Sequence, residues 1–118
     1  MKGRKDDTGK RRWSLLPRDV LRGVVDVLMI GAAHYDDNNW MHVENGLQRY
    51  SDAFERHYDA WVDGQEHDPD SGLHHGYHMV CNAMFMCYHM VKTERVWNEQ
   101  TDTNQTRHSK TSPLYWPE

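Results

Sequence analysis

The sequence has no long apolar run and little net charge, and both shortages limit the classes of protein it can encode. No stretch approaches the roughly 18 consecutive apolar residues of a membrane-spanning helix. The basic N-terminal residues are not followed by the apolar segment of a secretory signal. A net charge of −4 gives no general attraction to nucleic acid. The sequence therefore predicts a soluble cytoplasmic protein without membrane or nucleic-acid partners.

Cysteine is scarce, and its placement indicates a reducing compartment. Cys81 and Cys87 lie in one segment that is predicted to be helical. At this separation on an α-helix they point about 240° apart, so they cannot pair with each other. We expect both to be reduced thiols in the core.

Several familiar catalytic motifs are missing as well. The sequence contains no Walker loop, no dinucleotide fingerprint, no Gly-x-Ser-x-Gly elbow and no His-Glu-x-x-His pattern. The pair His67-Asp68 is similar to the doublet of metal phosphohydrolases, but Pro69 places it in a predicted loop. Histidine, in contrast, is abundant: the 118 residues include nine, and eight of them lie between His34 and His89.

Apolar spacing predicts three helices and no strand, so the fold class is all-α, a small bundle of three main helices. Asn45 suits an N-cap for the second helix, Gly64 suits its end, and the loop 68–72 would supply an N-cap for the third. We expect residues 1–93 to form one helical domain and residues 94–118 to form a polar tail, either docked on that domain or free of it. The predicted helices run from about Pro17 to Ala33, from about Gly46 to Val62 and from about Gly72 to Lys92.

The third predicted helix is apolar over most of its circumference and carries one polar stripe. A helix that is apolar nearly all round is usually buried, so its Met, Val and Cys side chains are expected in the core. His75, His78 and Asn82 are spaced i, i+3 and i+7, so they stack on one side of the helix. If the second and third helices pack antiparallel, His57 approaches His75 and His78.

Such a group suits a divalent metal, because neutral imidazole nitrogens are ligands for several metals. Asp68 precedes the third helix and can add an oxygen ligand or orient the histidines. A lone buried histidine is more often a hydrogen-bonded core residue, but the spaced set is harder to explain in that way. Asp52, Glu55 and Asp59 also have metal-ligand spacing, yet they face away from the apolar face and are expected in solvent.

Five short motifs follow one another between residues 9 and 91. They are Gly9-Lys10-x-Arg12-Trp13-Ser14-Leu15-Leu16-Pro17, Gly31-Ala32-x-x-Tyr35-x-x-x-Asn39-Trp40, Arg56-His57-x-x-Ala60, Gly64-x-x-x-Asp68-x-x-Ser71-Gly72 and His75-x-x-His78-x-x-x-Asn82. In this order they resemble a phage and bacterial family described as dATP/dGTP diphosphohydrolases. That family is grouped with the all-helical nucleotide pyrophosphohydrolases related to MazG.

The resemblance implies hydrolysis of purine deoxynucleoside triphosphates to the monophosphate and pyrophosphate, with Mg²⁺, Mn²⁺ or Co²⁺. It also implies a homo-oligomer, dimer or higher, located in the host cytoplasm if the protein is phage-encoded. The predicted catalytic residues are His57, His75, His78 and Asn82, and the predicted metal ligands are His57, Asp68, His75 and His78. The predicted substrate-binding residues are Lys10 and Arg12 for phosphate and Tyr35, Asn39 and Trp40 for the base.

The chain departs from the family pattern at Ser14, His34 and Gln65, where Asp, Lys and Glu are expected. It also lacks, on its predicted core faces, the paired carboxylates that MazG-related proteins use for metal. These departures support an alternative, a non-catalytic phage protein that binds a nucleotide or a host protein. A third interpretation is that the histidines hold a structural metal.

Overall fold

The computed structural model describes residues 1–101, and side chains only as far as Lys92. Three α-helices follow in order: α1 (Arg18–His34), α2 (Gly46–Val62) and α3 (His75–Thr101). Short 3-10 turns cover Trp13–Leu15 and Asn39–His42. Within the described residues there is no strand beyond one isolated bridge between His67 and His74. The all-α class is confirmed, and no helix described is long and apolar enough to cross a membrane.

The helix α2 begins and ends where the sequence predicts. Gly64 adopts φ 96°, and its N–H donates to the carbonyl of Trp61 at 3.0 Å. Gln65 N–H donates to the carbonyl of Ala60 at 3.0 Å, which completes the glycine-stopped C-cap known as the Schellman motif. Asn45 occupies the N-cap position, as predicted, but its backbone is left-handed (φ 53°) and its side chain makes no capping hydrogen bond.

The helix α3 begins later and ends later than predicted. The loop 68–72 does not cap it; instead the His74 ring does, with Gly76 N–H donating to His74 Nδ1 at 2.8 Å. The helix continues to Thr101, well past Lys92, so the first residues of the predicted tail are helical. The rest of that tail, residues 102–118, lies outside the described residues, and the domain division and the docking of the tail stay predictions.

Both other helices pack against α3. On α2, the Tyr50 ring contacts Phe85 with 4.9 Å between centroids, and the His57 ring contacts His78 at 4.4 Å. Because the earlier residue of α2 meets the later residue of α3, the two helices are antiparallel. This is the arrangement that the approach of His57 to the third helix required.

Part of the apolar sector of α3 is more exposed than the polar stripe. His75 is 3% exposed and Asn82 is 7% exposed, whereas Val80, Met84 and Met90 are 36%, 41% and 45% exposed. The prediction that the apolar circumference of α3 forms the core is therefore wrong for these three side chains. The physical reason is that the stripe faces α2, which turns part of the apolar sector outward.

The two cysteines are unpaired, as predicted, but only one is a core thiol. Cys81 is 1% exposed, and its Sγ donates to the carbonyl of Val24 on α1 at 3.4 Å. Burial raises the pKa of the Cys81 thiol to about 11, which keeps it protonated and unreactive. Cys87 is exposed, so its predicted place in the core is wrong.

Two glycines of α1 provide a matched test of how α1 packs on α3. A Cβ at buried Gly23 would lie 2.5 Å from ring atoms of Tyr77, whereas a Cβ at Gly31 would meet nothing within 4 Å. We expect Gly23→Ala to lower the free energy of unfolding by about 1–3 kcal/mol through overpacking. We expect Gly31→Ala to raise it by about 0.5–1 kcal/mol, because alanine restricts the unfolded chain. Urea denaturation measures both, and equal stability of the two variants would contradict the described contact between α1 and Tyr77.

Candidate functional site

A closed loop between α2 and α3 fixes the position of Asp68. The Asp68 N–H donates to the carbonyl of Leu73 at 2.8 Å, and Gly72 N–H donates to the carbonyl of Asp68 at 2.7 Å. Gly72 has φ 77°, a conformation that glycine adopts at little cost. His75 N–H then donates to the carbonyl of Glu66 at 2.9 Å. These bonds hold the loop that carries Asp68 against the first turn of α3.

The loop, α2 and α3 each contribute one side chain to a compact group that we call the His–Asp cluster: His57, Asp68 and His78. Potential ligand atoms of these three half-buried residues all lie within 4.8 Å of one another. The rings of His57 and His78 stack with 4.4 Å between centroids and an angle of 6°. His78 Nε2 lies 3.4 Å from Asp68 Oδ2 and 2.7 Å from Ser71 Oγ. Three of the four predicted metal ligands therefore meet.

The fourth, His75, lies behind the His–Asp cluster with both of its ring nitrogens in contact with other side chains. Its Nε2 is 2.8 Å from Gln65 Oε1, and its Nδ1 is 2.8 Å from His57 Nδ1. A carbonyl oxygen only accepts, so His75 Nε2 carries a proton and a neutral His75 must accept at Nδ1. His57 therefore donates from Nδ1, which leaves the lone pair of His57 Nε2 available for another partner.

Burial keeps the two histidines of the cluster neutral. Burial, helped by His78 and opposed by Asp68, lowers the pKa of His57 to about 4. The pKa of His78 is also lowered, chiefly by burial and against the opposing effect of Asp68. Because a neutral imidazole keeps a lone pair and a protonated one does not, both rings are in the form that binds metal at neutral pH.

Asn82 lies one helical turn beyond His78 and is 7% exposed. Its Nδ2 donates to the carbonyl of His78 at 2.9 Å. Among the residues that the structure describes, no donor reaches the amide oxygen of Asn82. A buried polar atom of this kind usually has a partner in the working protein, commonly a water or a ligand.

The predicted substrate-binding residues divide into two groups. Tyr35, Asn39 and Trp40 line one pocket of about 450 Å³ between α1 and α3, which we call the α1–α3 pocket. Lys10 and Arg12 lie on the exposed segment that precedes α1. In the described part of the chain, no hydrogen bond or ion pair joins either of them to the His–Asp cluster.

Two residues of the site were not in the predicted set. Gln65 accepts from His75, and Ser71 Oγ contacts His78 while accepting from Leu73 N–H at 3.1 Å. Both lie inside the motif Gly64-x-x-x-Asp68-x-x-Ser71-Gly72. Their position in that motif is the feature of the sequence that could have identified them as site residues. The second group with metal-ligand spacing is exposed to solvent, as predicted. Its residues are Asp52, Glu55 and Asp59.

Comparisons with known proteins agree with the family resemblance of the sequence. A family model described as dATP/dGTP diphosphohydrolase, N-terminal, matches residues 1–100. A curated protein of Salmonella phage PMBT28, named dATP/dGTP diphosphohydrolase, is 35% identical over 86 residues. The match covers 73% of this chain and 29% of that protein, so the chain spans less than a third of its relative. No solved structure matches the chain.

The lowered pKa of His57 predicts a stability that depends on pH in metal-free protein. The unfolded chain takes up a proton near pH 6.5, whereas folded His57 does not until about pH 4. The contribution of His57 is thus fully present above pH 6.5, and it is lost as the pH falls towards 4. His57→Gln should flatten this slope in thermal denaturation with chelator, while exposed His34→Gln should leave it unchanged. An unaltered slope in His57→Gln would show that His57 is not held neutral by the fold.

Proposed function

Because the chain belongs to the dATP/dGTP diphosphohydrolase, N-terminal, family, we propose that it hydrolyses dGTP or dATP to the monophosphate and pyrophosphate with a divalent metal. The observation that carries this proposal is the His–Asp cluster, two neutral imidazoles and one carboxylate within 4.8 Å. The relative in Salmonella phage PMBT28, named for this activity, supports the substrate class.

The chemistry of the donor atoms fits a divalent transition metal. Imidazole nitrogens suit metals such as Co²⁺ better than they suit Mg²⁺, which prefers oxygen ligands and retains several waters. The carboxylate of Asp68 adds one oxygen ligand and a negative charge. We therefore expect Co²⁺ or Mn²⁺ to support activity better than Mg²⁺. Such an ion would supply charge neutralisation at the triphosphate oxygens.

The surrounding residues of this chain would orient the ligands and the attacking water. Gln65 and His75 fix the proton of His57 on Nδ1, which would leave the lone pair of Nε2 available to a metal. Ser71 Oγ accepts from Leu73 N–H and lies 2.7 Å from His78 Nε2, and a metal bound at that nitrogen would take the place of the Ser71 contact. The open amide oxygen of Asn82 can accept a hydrogen bond from water. We assign Asn82 the positioning of the water that attacks a phosphorus as pyrophosphate leaves.

Phosphate binding is assigned to the basic N-terminal segment. Lys10 and Arg12 are exposed and precede α1, and each can donate charge-assisted hydrogen bonds to phosphate oxygens. Their assignment rests on the family motif in which they stand. The base is assigned to Tyr35, Asn39 and Trp40, which the α1–α3 pocket brings together.

We also propose that the protein forms a dimer or a higher homo-oligomer. Several large apolar side chains in the described part of the chain are exposed, among them Trp13 at 71%, Leu15 at 68% and Val62 at 58%. Exposed apolar surface is a frequent mark of an interface when such side chains lie together. The assembly would remove such side chains from water.

Product analysis tests the proposed reaction. Purified protein is incubated with each of the four deoxynucleoside triphosphates and Mg²⁺, Mn²⁺ or Co²⁺, and the products are separated. We expect monophosphate plus pyrophosphate from a purine substrate, with the fastest turnover in Co²⁺ or Mn²⁺. Nucleoside plus triphosphate would indicate a different phosphohydrolase. No product with any metal, while nucleotide still raises the melting temperature, would indicate a binding protein without catalysis.

Substitutions at Gln65 test the orientation of His57 separately from turnover. Gln65→Leu removes the acceptor that fixes His75, so we expect affinity for Co²⁺ alone to fall about 10–100-fold in calorimetric titration. Gln65→Glu keeps an acceptor at the same position and should retain affinity, and Gln48→Leu on the exposed face of α2 is the control. His75→Ala should act like Gln65→Leu. If His75→Ala changes neither metal affinity nor turnover, the role assigned to His75 is wrong.

A further inference from the structure

The α1–α3 pocket has the size and walls of a site for a flat aromatic ligand. Its volume of about 450 Å³ falls within the range of small-molecule sites, roughly 300–1,000 Å³. Leu28 and Met29 of α1 and Met84 of α3 form an apolar wall. Trp40 forms an aromatic wall, and the apolar faces would bury a ring on both sides.

The aromatic wall is held in place before any ligand binds. The Trp40 ring stacks on Phe85 with 4.5 Å between centroids, and the edge of Tyr88 meets Trp40 at 5.0 Å. Tyr50 meets Phe85 edge-on at 4.9 Å. Because these rings brace one another, little side-chain ordering is needed when a ligand binds.

The charge of the pocket selects which part of a nucleotide can enter. Its charged lining residues within the described chain are two carboxylates, Asp36 and Asp37, and no cationic side chain lines it. Phosphate groups would be repelled there, whereas N–H groups would be bound. Burial raises the pKa of the Tyr50 hydroxyl, and although Arg49 opposes this shift, the phenol stays protonated and can donate a hydrogen bond.

The pocket and the His–Asp cluster share two helices, and their residues lie about two helical turns apart. Phe85 follows His78 by seven residues on α3, and Tyr50 precedes His57 by seven residues on α2. At 1.5 Å per residue, each pair is separated by about 10 Å along its helix. The two helices that carry the cluster therefore also carry residues of the pocket, two turns away.

We propose that the α1–α3 pocket binds the guanine base of the substrate and that Asp36 and Asp37 select guanine over adenine. Guanine presents two adjacent donors, N1–H and the 2-amino group, which one carboxylate can accept together. Adenine presents its 6-amino donor beside the acceptor N1, which a carboxylate repels. This inference rests on the proposed hydrolysis of purine nucleotides and names the base that the same site prefers.

The test uses nucleosides and the full chain in chelator, so that neither metal nor hydrolysis contributes. Deoxyguanosine, deoxyinosine and deoxyadenosine are titrated by calorimetry. Deoxyinosine lacks only the 2-amino group, and loss of that hydrogen bond to a carboxylate should weaken binding about tenfold. Deoxyadenosine should bind no better than deoxyinosine. The double variant Asp36→Asn with Asp37→Asn should bind deoxyguanosine and deoxyinosine alike, while Asp26→Asn, on α1 outside the pocket, should bind as the unaltered chain does.

Three results would overturn the proposal. Equal affinity for the three nucleosides in the unaltered chain would show that Asp36 and Asp37 do not select guanine. Hydrolysis of dGTP without any nucleoside binding would leave the proposed function intact and show that the base binds outside the α1–α3 pocket. If Met29→Glu reduces the mass of the assembly in light scattering and leaves nucleoside binding unchanged, the pocket is an interface between copies of this chain. Deoxyguanosine binding without turnover would instead contradict the hydrolysis alone.

Discussion

The contact between His57 and His75 is the interaction on which the site depends, because it joins α2 to α3 through polar rather than apolar groups. Each buried imidazole nitrogen needs a hydrogen-bond partner, and leaving one without a partner costs about 1–3 kcal/mol. Here two consecutive hydrogen bonds meet the requirement. His75 Nε2–H donates to Gln65 Oε1, and His57 Nδ1–H donates to His75 Nδ1. The chain of bonds ends at His57, a member of the His–Asp cluster, whose Nε2 keeps its lone pair.

The same constraint explains the distribution of apolar side chains. Because the polar stripe occupies a buried side of α3, Met84 and Val80 are left partly exposed. Part of this turned-out surface, together with Leu28 and Met29 of α1, becomes the wall of the α1–α3 pocket. The fold thus separates a polar cluster between α2 and α3 from an apolar pocket between α1 and α3. A nucleotide has the same division, with a charged triphosphate at one end and a flat base at the other.

Much of this arrangement could be predicted from local sequence signals. The spacing of apolar residues set the bounds of α2, and Gly64 marked its end because the left-handed conformation there favours glycine. The spacing of His75, His78 and Asn82 placed them on one face of α3. The exposure of Val80, Met84 and Met90 could not be predicted, because it depends on which side of α3 the other helices cover. The role of Gln65 depends on a contact across ten residues, and the cap of α3 by His74 depends on a ring orientation.

We have proposed that His57, Asp68 and His78 hold a catalytic divalent metal, and anomalous X-ray scattering from crystals grown with Co²⁺ would locate such an ion. We expect one strong anomalous peak within ligand distance of all three side chains, with His75 and Gln65 hydrogen-bonded behind His57. Chelator should abolish both this peak and the hydrolysis of dGTP. A peak at other residues, or none at the His–Asp cluster in protein that still hydrolyses dGTP with Co²⁺, would contradict the account.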